Sequence, residues 1–255
     1  MVHKTLLTDS EWQIIEKHIP NNTRKRKYPL RIIVEAIFYI VRMGCQWRNL
    51  PATYPPWESV YYYFSEWRDK DIFEHINDML REQVRKCTGR NASCSTVIID
   101  SQSVKTTRRG GLRGIDGNKK IKGRKRHIAV DTQGNVVSCL VHPANIHDAN
   151  GGKLLMRQVH ENIHGIKVVF ADNAYRKSFK EYVTKTFGYR VEITPRIADV
   201  AKNGVSPKRW VVERTIAWME SFRRIAKDYE YLLESSQAMV YLMSISLLVN
   251  KLSNS

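Results

Sequence analysis

A chain of 255 residues, 42% hydrophobic and 26% charged, is long enough to bury a full core and too apolar to stay disordered. Lysine and arginine number 42 against 25 acids, a net charge of +17 that points to a polyanionic partner, most simply nucleic acid. No apolar run reaches the roughly 18–20 residues that span a bilayer. The first dozen residues do not read as a secretory signal, and Cys45, Cys87, Cys94 and Cys139 lack zinc-ribbon or redox spacing, so reduced thiols in a cytoplasm are expected.

The first third reads helical. Thr8 or Asp9 caps a helix to about His18, with Glu11 placed for a capping box and Trp12, Ile15 and Ile19 on one face. Pro20 and Asn21-Asn22-Thr23 close it. The basic run from Arg24 to Lys27 reads equally as a solvated loop or a phosphate contact. Pro29 opens a second helix to about Met43, with an Ile33, Ala36, Ile37, Ile40 stripe and Gly44 as its C-terminal cap. After the turn at Pro51, Pro55 and Pro56, Ser59 to Trp67 and Ile72 to about Val84 read as two more helices. Most of the aromatic rings there are expected to pack as core. The short helix, turn and second helix also fit a helix-turn-helix module. Thr88 to Ser95 is small and polar, and the periodicity changes after it, which places a boundary near residue 90.

Val97, Ile98 and Ile99 read as a short buried strand that stops at Asp100. Val168 to Phe170 repeats the pattern and ends at Asp172. Asp100 alone reads as a turn or cap aspartate. Two such strands in one sheet bring two carboxylates together, and a divalent ion would remove the conflict between them. Arg108 to Lys125 is rich in glycine and cations, as a backbone that approaches phosphate closely requires, and DNA contact is favoured over a solvated hairpin loop. Lys119, Lys120, Lys122, Arg124, Lys125 and Arg126 are its candidate DNA-binding residues. Arg126 to Asp131 and Val136 to Val141 flank a tight turn, so the first three strands form an antiparallel meander. His142, His147 and Asp148 read as loop histidines and a cap in preference to metal ligands.

Asn150 to Val159 is a helix, Lys177 to Thr186 another, and Arg190 to Ile193 a fifth strand. Ala198 to Pro207 is a polar loop. Lys208 to Asp228 reads as one long amphipathic helix, with Val212, Ile216, Met219 and Phe222 inward. Arg209 and Glu213 share its other face, four residues apart. Alone they are a surface ion pair; beside two strand acids, Glu213 is the candidate third carboxylate. The last helix, Ser236 to Leu252, is apolar enough to pack deeply or to form a dimer contact.

Three antiparallel strands, helix, strand, helix, strand, helix, with acids on strands one and four and on a late helix, resembles the RNase H-like fold of Asp-Asp-Glu transposases. The strings GLRGIDGNKKIKGRKRHIAVDTQGN, FADNAY and KRWVVERTIAW are similar to bacterial insertion-sequence transposases, in particular the insertion-sequence-five group. GCQWRNLP with WESVYYYFSEW resembles that group's N-terminal DNA-binding segment. The likeness covers nearly the whole chain. It implies an α/β catalytic domain over residues 91–255, with a mixed five-stranded sheet flanked by helices, behind an all-helical, helix-turn-helix-like DNA-binding domain over residues 1–90. Asp100, Asp172 and Glu213 are then catalytic and hold two Mg²⁺ ions, for which Mn²⁺ can substitute, about 3.5–4 Å apart. Arg209 and Glu213 match the Arg and Glu of the family's Tyr-x-x-Arg-x-x-x-Glu-x-x-x-x-x-x-Lys signature. Ser206 stands at its Tyr position and Glu220 at its Lys position, so Arg223 or Arg224 is the candidate replacement for holding the terminal phosphate. The implied partners are double-stranded DNA, as terminal inverted repeats and as target, and a second copy of the chain on that DNA. The implied function is strand cleavage and strand transfer. An inactive DNA-binding regulator and a plain metal-dependent nuclease are the alternatives.

Overall fold

The computed structural model describes residues 7–20, 26–194 and 209–254. Four helices come first. In α1 (Asp9–Glu16) the Thr8 hydroxyl and the Glu11 carboxylate cap each other's backbone, as the spacing predicts. In α2 (Leu30–Met43) the chain ends in a left-handed Gly44, φ +72°. Next are α3 (Trp57–Asp69) and α4 (Ile72–Cys87). The sheet is then built from β1 (Thr96–Lys105), β2 (Gly114–Asp116), β3 (Ile121–Val130) and β4 (Val136–Pro143). After α5 (Asp148–Asn162) come β5 (Val168–Ala171), α6 (Ser178–Phe187) and β6 (Arg190–Ile193). The chain closes with α7 (Arg209–Glu220), the one-turn α8 (Arg223–Ala226) and α9 (Leu233–Ser253).

β3 pairs antiparallel with β1 along one edge and with β4 and the short β2 along the other. β1 pairs parallel with β5, and β5 with β6. The RNase H-like expectation therefore holds, with the short β2 added to the five strands read from sequence. Strand alternation divides the core. Val97, Ile99, Ala129, Val169 and Ala171 meet α5 and α6, whereas Ile98, Ile128, Val130 and Phe170 face α7, α9 and the N-terminal helices. The first four helices thus share a hydrophobic core with the sheet across the Thr88–Ser95 segment. Asn77 Nδ2 donates to the Val136 carbonyl at 2.9 Å, and Arg85 meets Asp131 at 2.9 Å in a buried pair, which fixes α4 to the β3–β4 hairpin.

Three local readings are corrected. β1 does not stop at Asp100. It stays paired with β3 to Lys105, so Asp100 is mid-strand, opposite Ile128. The polar Ser101 and Ser103 are tolerated inside because their hydroxyls donate to Asp148 and Asp116, at 2.9 and 2.6 Å. Residues 121–125, read as loop, are the first half of β3. The long helix breaks at Ser221 and Phe222, where the backbone turns extended so that Phe222 is buried beneath the Arg42 guanidinium, 4.9 Å away.

Candidate active site

The β1–β5 register sets the site. Ile98 lies beside Phe170, and two residues on along each parallel strand direction come Asp100 and Asp172. Both belong to the face of Ile98 and Phe170, the face that α7 covers. The sequence thus brings two carboxylates 72 positions apart to neighbouring strands by alternation alone.

Asp100 Oδ1 accepts from the Ser101 amide at 2.7 Å. Its carboxyl is pushed up to about 6, first by desolvation and then by the Asp172 charge; the Ser101 amide, Arg209 and Lys119 pull the other way without offsetting this. Asp172 Oδ1 accepts from the Ala174 amide at 2.8 Å and caps a short 3-10 turn, Asn173–Tyr175. Its second oxygen, Oδ2, faces Arg209 Nη2 at 3.9 Å.

α7 delivers Arg209 and Glu213. Its Thr215 hydroxyl donates to the Gly134 carbonyl and Arg214 Nη2 to the Gln133 carbonyl, both at 2.8 Å, which pins the helix to the β3–β4 turn. That turn needs glycine at 134: φ is +84°, and a Cβ there would stand 2.9 Å from Thr215 Oγ1. Arg209 Nε lies 2.9 Å from Glu213 Oε1, an ion pair off the N–H direction. Glu220, at the signature's Lys position, accepts from Gln102 Nε2 at 3.3 Å, so it too reaches the β1 face that carries Asp100.

Among the described residues no three acids, histidines or cysteines stand close enough to form a closed metal nest. The donor set nevertheless suits a hard divalent cation. All three side chains are carboxylates, and Asp100 and Asp172 repel each other in its absence. Asp100 and Asp172 would hold such an ion, and Glu213 would join them on leaving Arg209.

The predicted DNA-binding residues divide. Lys119, Lys120 and Lys122 are exposed on and beside the β2–β3 turn, and Lys119 Nζ reaches the Ser101 carbonyl at 3.4 Å, next to Asp100. Arg223 is exposed on α8. Arg124, Lys125, Arg126 and Arg224 are buried, which corrects their reading as DNA contacts. Lys125 Nζ is 2.8 Å from Asp148 and 3.0 Å from the Ile146 carbonyl. Arg126 donates to the Ile225 carbonyl at 2.7 Å, and Arg224 meets Glu230 at 2.6 Å. In each case strand pairing or a buried carbonyl takes the cation inward, which a count of basic residues does not reveal. Ser206, Arg24, Lys25 and the 198–207 loop lie outside the described residues.

Sequence reading missed the polar layer on the opposite face of β1, where Ser101, Asp148, Lys125, Asp116 and Ser103 interlock. The alternation of Ser101 and Ser103 with Asp100 and Gln102 was its signal. His142, placed in a loop from sequence, is in β4; its Nε2 lies 2.8 Å from His127 Nδ1. His147 caps α5.

Residues 93–248 match the family model "Transposase DDE domain", and residues 7–77 match "Putative transposase of IS4/5 family". The chain is 29% identical over 116 residues to "Putative transposase for insertion sequence element IS402" of Burkholderia cepacia, a match covering 42% of this chain and 54% of that protein. It thus spans about half the length of that relative. "Uncharacterized protein y4sN" of Sinorhizobium fredii is 24% identical over 102 residues, covering 39% of this chain and 75% of that one. The catalytic core domain of BIV integrase overlays 61% of this chain and 84% of its own at 17% identity, with a TM-score of 0.39. The N-terminal segment is thus similar to IS4/5 transposases, and with the DDE domain model covering more than half of its length the chain belongs to the DDE transposase family.

Proposed function

We propose that this chain binds the terminal inverted repeats of an insertion sequence, cuts DNA there and joins the freed ends to a target by phosphoryl transfer. The observation that carries the reading is the β1–β5 register, which sets Asp100 beside Asp172 under the helix of Glu213. When bound, two divalent ions (Mg²⁺, or Mn²⁺ in its place) would supply charge stabilisation at the phosphate and a reactive oxygen nucleophile at neutral pH. Asp100, Asp172 and Glu213 are the residues that hold them. Lys119, already beside Asp100, and Arg209 are placed to bind phosphate oxygens once Glu213 has turned toward the aspartates. The 1–90 helical region acts as the reader of the element's end and residues 91–255 as the catalytic unit, two copies working together on paired ends. No helix among the described residues is long and apolar enough to cross a membrane; the expected setting is the bacterial cytoplasm.

The test uses the purified protein and a duplex carrying the element's end and flank. Nicking that requires Mg²⁺ or Mn²⁺, and that disappears in Asp172→Ala, is expected. Cleavage that survives chelation or this substitution overturns the scheme. One observation favours a second reading, a DNA-binding regulator without chemistry: Glu220, where the family carries Lys, is hydrogen-bonded to Gln102. Tight binding to the same duplex with no nicking under either metal would establish that reading instead. Cutting without joined products in a target plasmid would mark a nuclease.

A further inference from the structure

Arg124 is fully buried in β3, yet its guanidinium bonds to two surface loops at once. Nε donates to the Leu112 carbonyl at 2.9 Å, Nη1 to that of Glu230 at 2.9 Å, and Nη2 to that of Tyr231 at 2.6 Å. Asp228, itself buried, balances the charge at 3.2 Å. The first loop is closed on itself by Arg113 Nη1, which donates to the Thr107 and Arg108 carbonyls, both at 2.8 Å. The loops touch where Gly111 meets the Tyr231 carbonyl; a Cβ at 111 would come within 2.2 Å of that oxygen. These contacts fix the conformation of both loops.

What they hold out is apolar. Leu112 and Tyr231 are each 70% exposed and stand on the two sides of an open cleft of about 640 Å³, with Leu232 beside them; Ile115 on β2 and Tyr229 on the second loop are exposed as well. Two loops anchored by a buried arginine present large side chains that the core does not use. The exposed charge around them is mostly positive. Lys105, Arg108, Arg109 and Lys227 are exposed, whereas the acids Asp116, Asp228 and Glu230 are buried; Glu234 is the exposed acid at the rim. Rigid apolar side chains ringed by cations suit a duplex, whose sugars and groove edges offer apolar surface between phosphates. The position suits it as well. β1 carries the chain from Asp100 to Lys105, five residues or about 17 Å, and Asp228 NH bonds to the Lys105 carbonyl at 3.0 Å. That span is about five base pairs at 3.4 Å per step.

We propose that this two-loop cleft is a second DNA contact, separate from the acid site. Leu112 and Tyr231 lie against sugars and groove edge, and Arg108, Arg109 and Lys227 lie on phosphates of the same duplex. Arg124 is a positioning residue for it. The inference rests on the reading of this chain as a DNA-cutting enzyme and adds where the duplex is gripped.

The experiment measures binding of the full chain to a fluorescein-labelled, mixed-sequence 30-base-pair duplex by anisotropy across a salt series, with circular dichroism as a folding control and sedimentation to give the oligomeric state. The surface double variant Leu112→Ser/Tyr231→Ser is expected to bind at least tenfold more weakly with an unchanged salt slope. Arg108→Ala/Arg109→Ala is expected to reduce the slope by about 2. Wild-type affinity in the folded Leu112→Ser/Tyr231→Ser variant overturns the proposal. So does a shift of that variant from dimer to monomer with DNA binding intact, which would make the cleft a contact between copies. Asp172→Ala separates the two ideas. If it binds as wild type and fails to cut while the cleft variants bind normally, the enzyme reading survives and the cleft proposal alone is lost.

Discussion

Arg209 Nε lies 2.9 Å from Glu213 Oε1, one turn away on α7, and the same guanidinium turns its Nη2 toward Asp172 Oδ2 at 3.9 Å. An arginine therefore stands among the acids that are proposed to hold a divalent ion. Replacing it should expose their mutual repulsion. In metal-free buffer Arg209→Ala is expected to melt lower than wild type by an amount on the order of 1 kcal/mol, or roughly 2–4 °C for a protein of this size. Mg²⁺ should restore most of that loss, giving the variant a larger thermal shift with Mg²⁺ than wild type. Thermal denaturation with and without Mg²⁺ measures both. Equal shifts in the two proteins would show that Arg209 does not act as the cation partner of these carboxylates.

Asp100 gives the pH dependence. Its carboxyl is raised from 3.8 to about 6 in the folded chain, by desolvation first and then by Asp172. Between those values the folded chain binds the proton more tightly than the unfolded one. Stability from this group is therefore complete below about pH 4 and is lost as pH rises through about 6. Asp100→Asn removes the charge and should stabilise the metal-free protein at pH 7–8, by up to about 3 kcal/mol. The gain should vanish near pH 4, where both side chains are neutral. Urea unfolding at the two pH values checks it, and a gain that stays constant with pH refutes it.

The split among the basic residues predicts two distinct phenotypes. Lys119→Ala/Lys120→Ala/Lys122→Ala removes three exposed cations on and beside the β2–β3 turn, of which Lys119 reaches the Ser101 carbonyl next to Asp100. DNA affinity should fall, the salt slope should shrink by up to about 3, and the melting temperature should hardly move. Arg126→Met acts on a buried guanidinium bonded to the Ile225 carbonyl at 2.7 Å. It should shift the melting temperature and leave the salt slope of DNA binding unchanged. Anisotropy titrations and melting curves on the same preparations separate the two.

These same residues show what the sequence could reveal. Caps and turns were legible because their chemistry is local: Thr8 with Glu11, Gly44, and the turn at Gly134 form as their spacing predicts. The two aspartates were legible because apolar runs mark buried strands and the acids interrupt them. The extent of β1 was not, because Ser101 and Ser103 look like a loop until Asp148 and Asp116 arrive from elsewhere in the chain. Nor was the burial of Arg124, Lys125 and Arg126. Each is a basic residue in a basic run, and only the pairing of β3 with β1 and β4 decides which of them leave the solvent. The bend at Phe222 was hidden for a related reason. The helical pattern continues through it, and the ring is drawn inward beneath Arg42 on a helix 180 residues earlier in the chain.

Arg124 and Asp228 make the sharpest stability prediction. Both side chains are fully buried, 3.2 Å apart, and Asp228 also accepts from the Ser236 hydroxyl at 2.7 Å and the Glu230 amide at 3.0 Å. Arg124→Met would leave a buried carboxylate without its guanidinium partner and remove the donor to four loop carbonyls, those of Leu112, Glu230, Tyr231 and Leu232. A loss on the order of 3–5 kcal/mol is expected. Asp228→Leu should be comparably damaging, because it leaves the guanidinium charge uncompensated. In the double variant Arg124→Met/Asp228→Leu neither charge remains. Its loss should be smaller than the sum of the two single losses by about 2 kcal/mol or more. It should still exceed zero, because the Leu112, Glu230, Tyr231 and Leu232 carbonyls have lost their Arg124 donor. A urea double-mutant cycle gives the coupling directly. Strictly additive losses would mean that each side chain is held by its carbonyl, hydroxyl and amide partners alone, and that the ion pair contributes nothing to holding the two loops together.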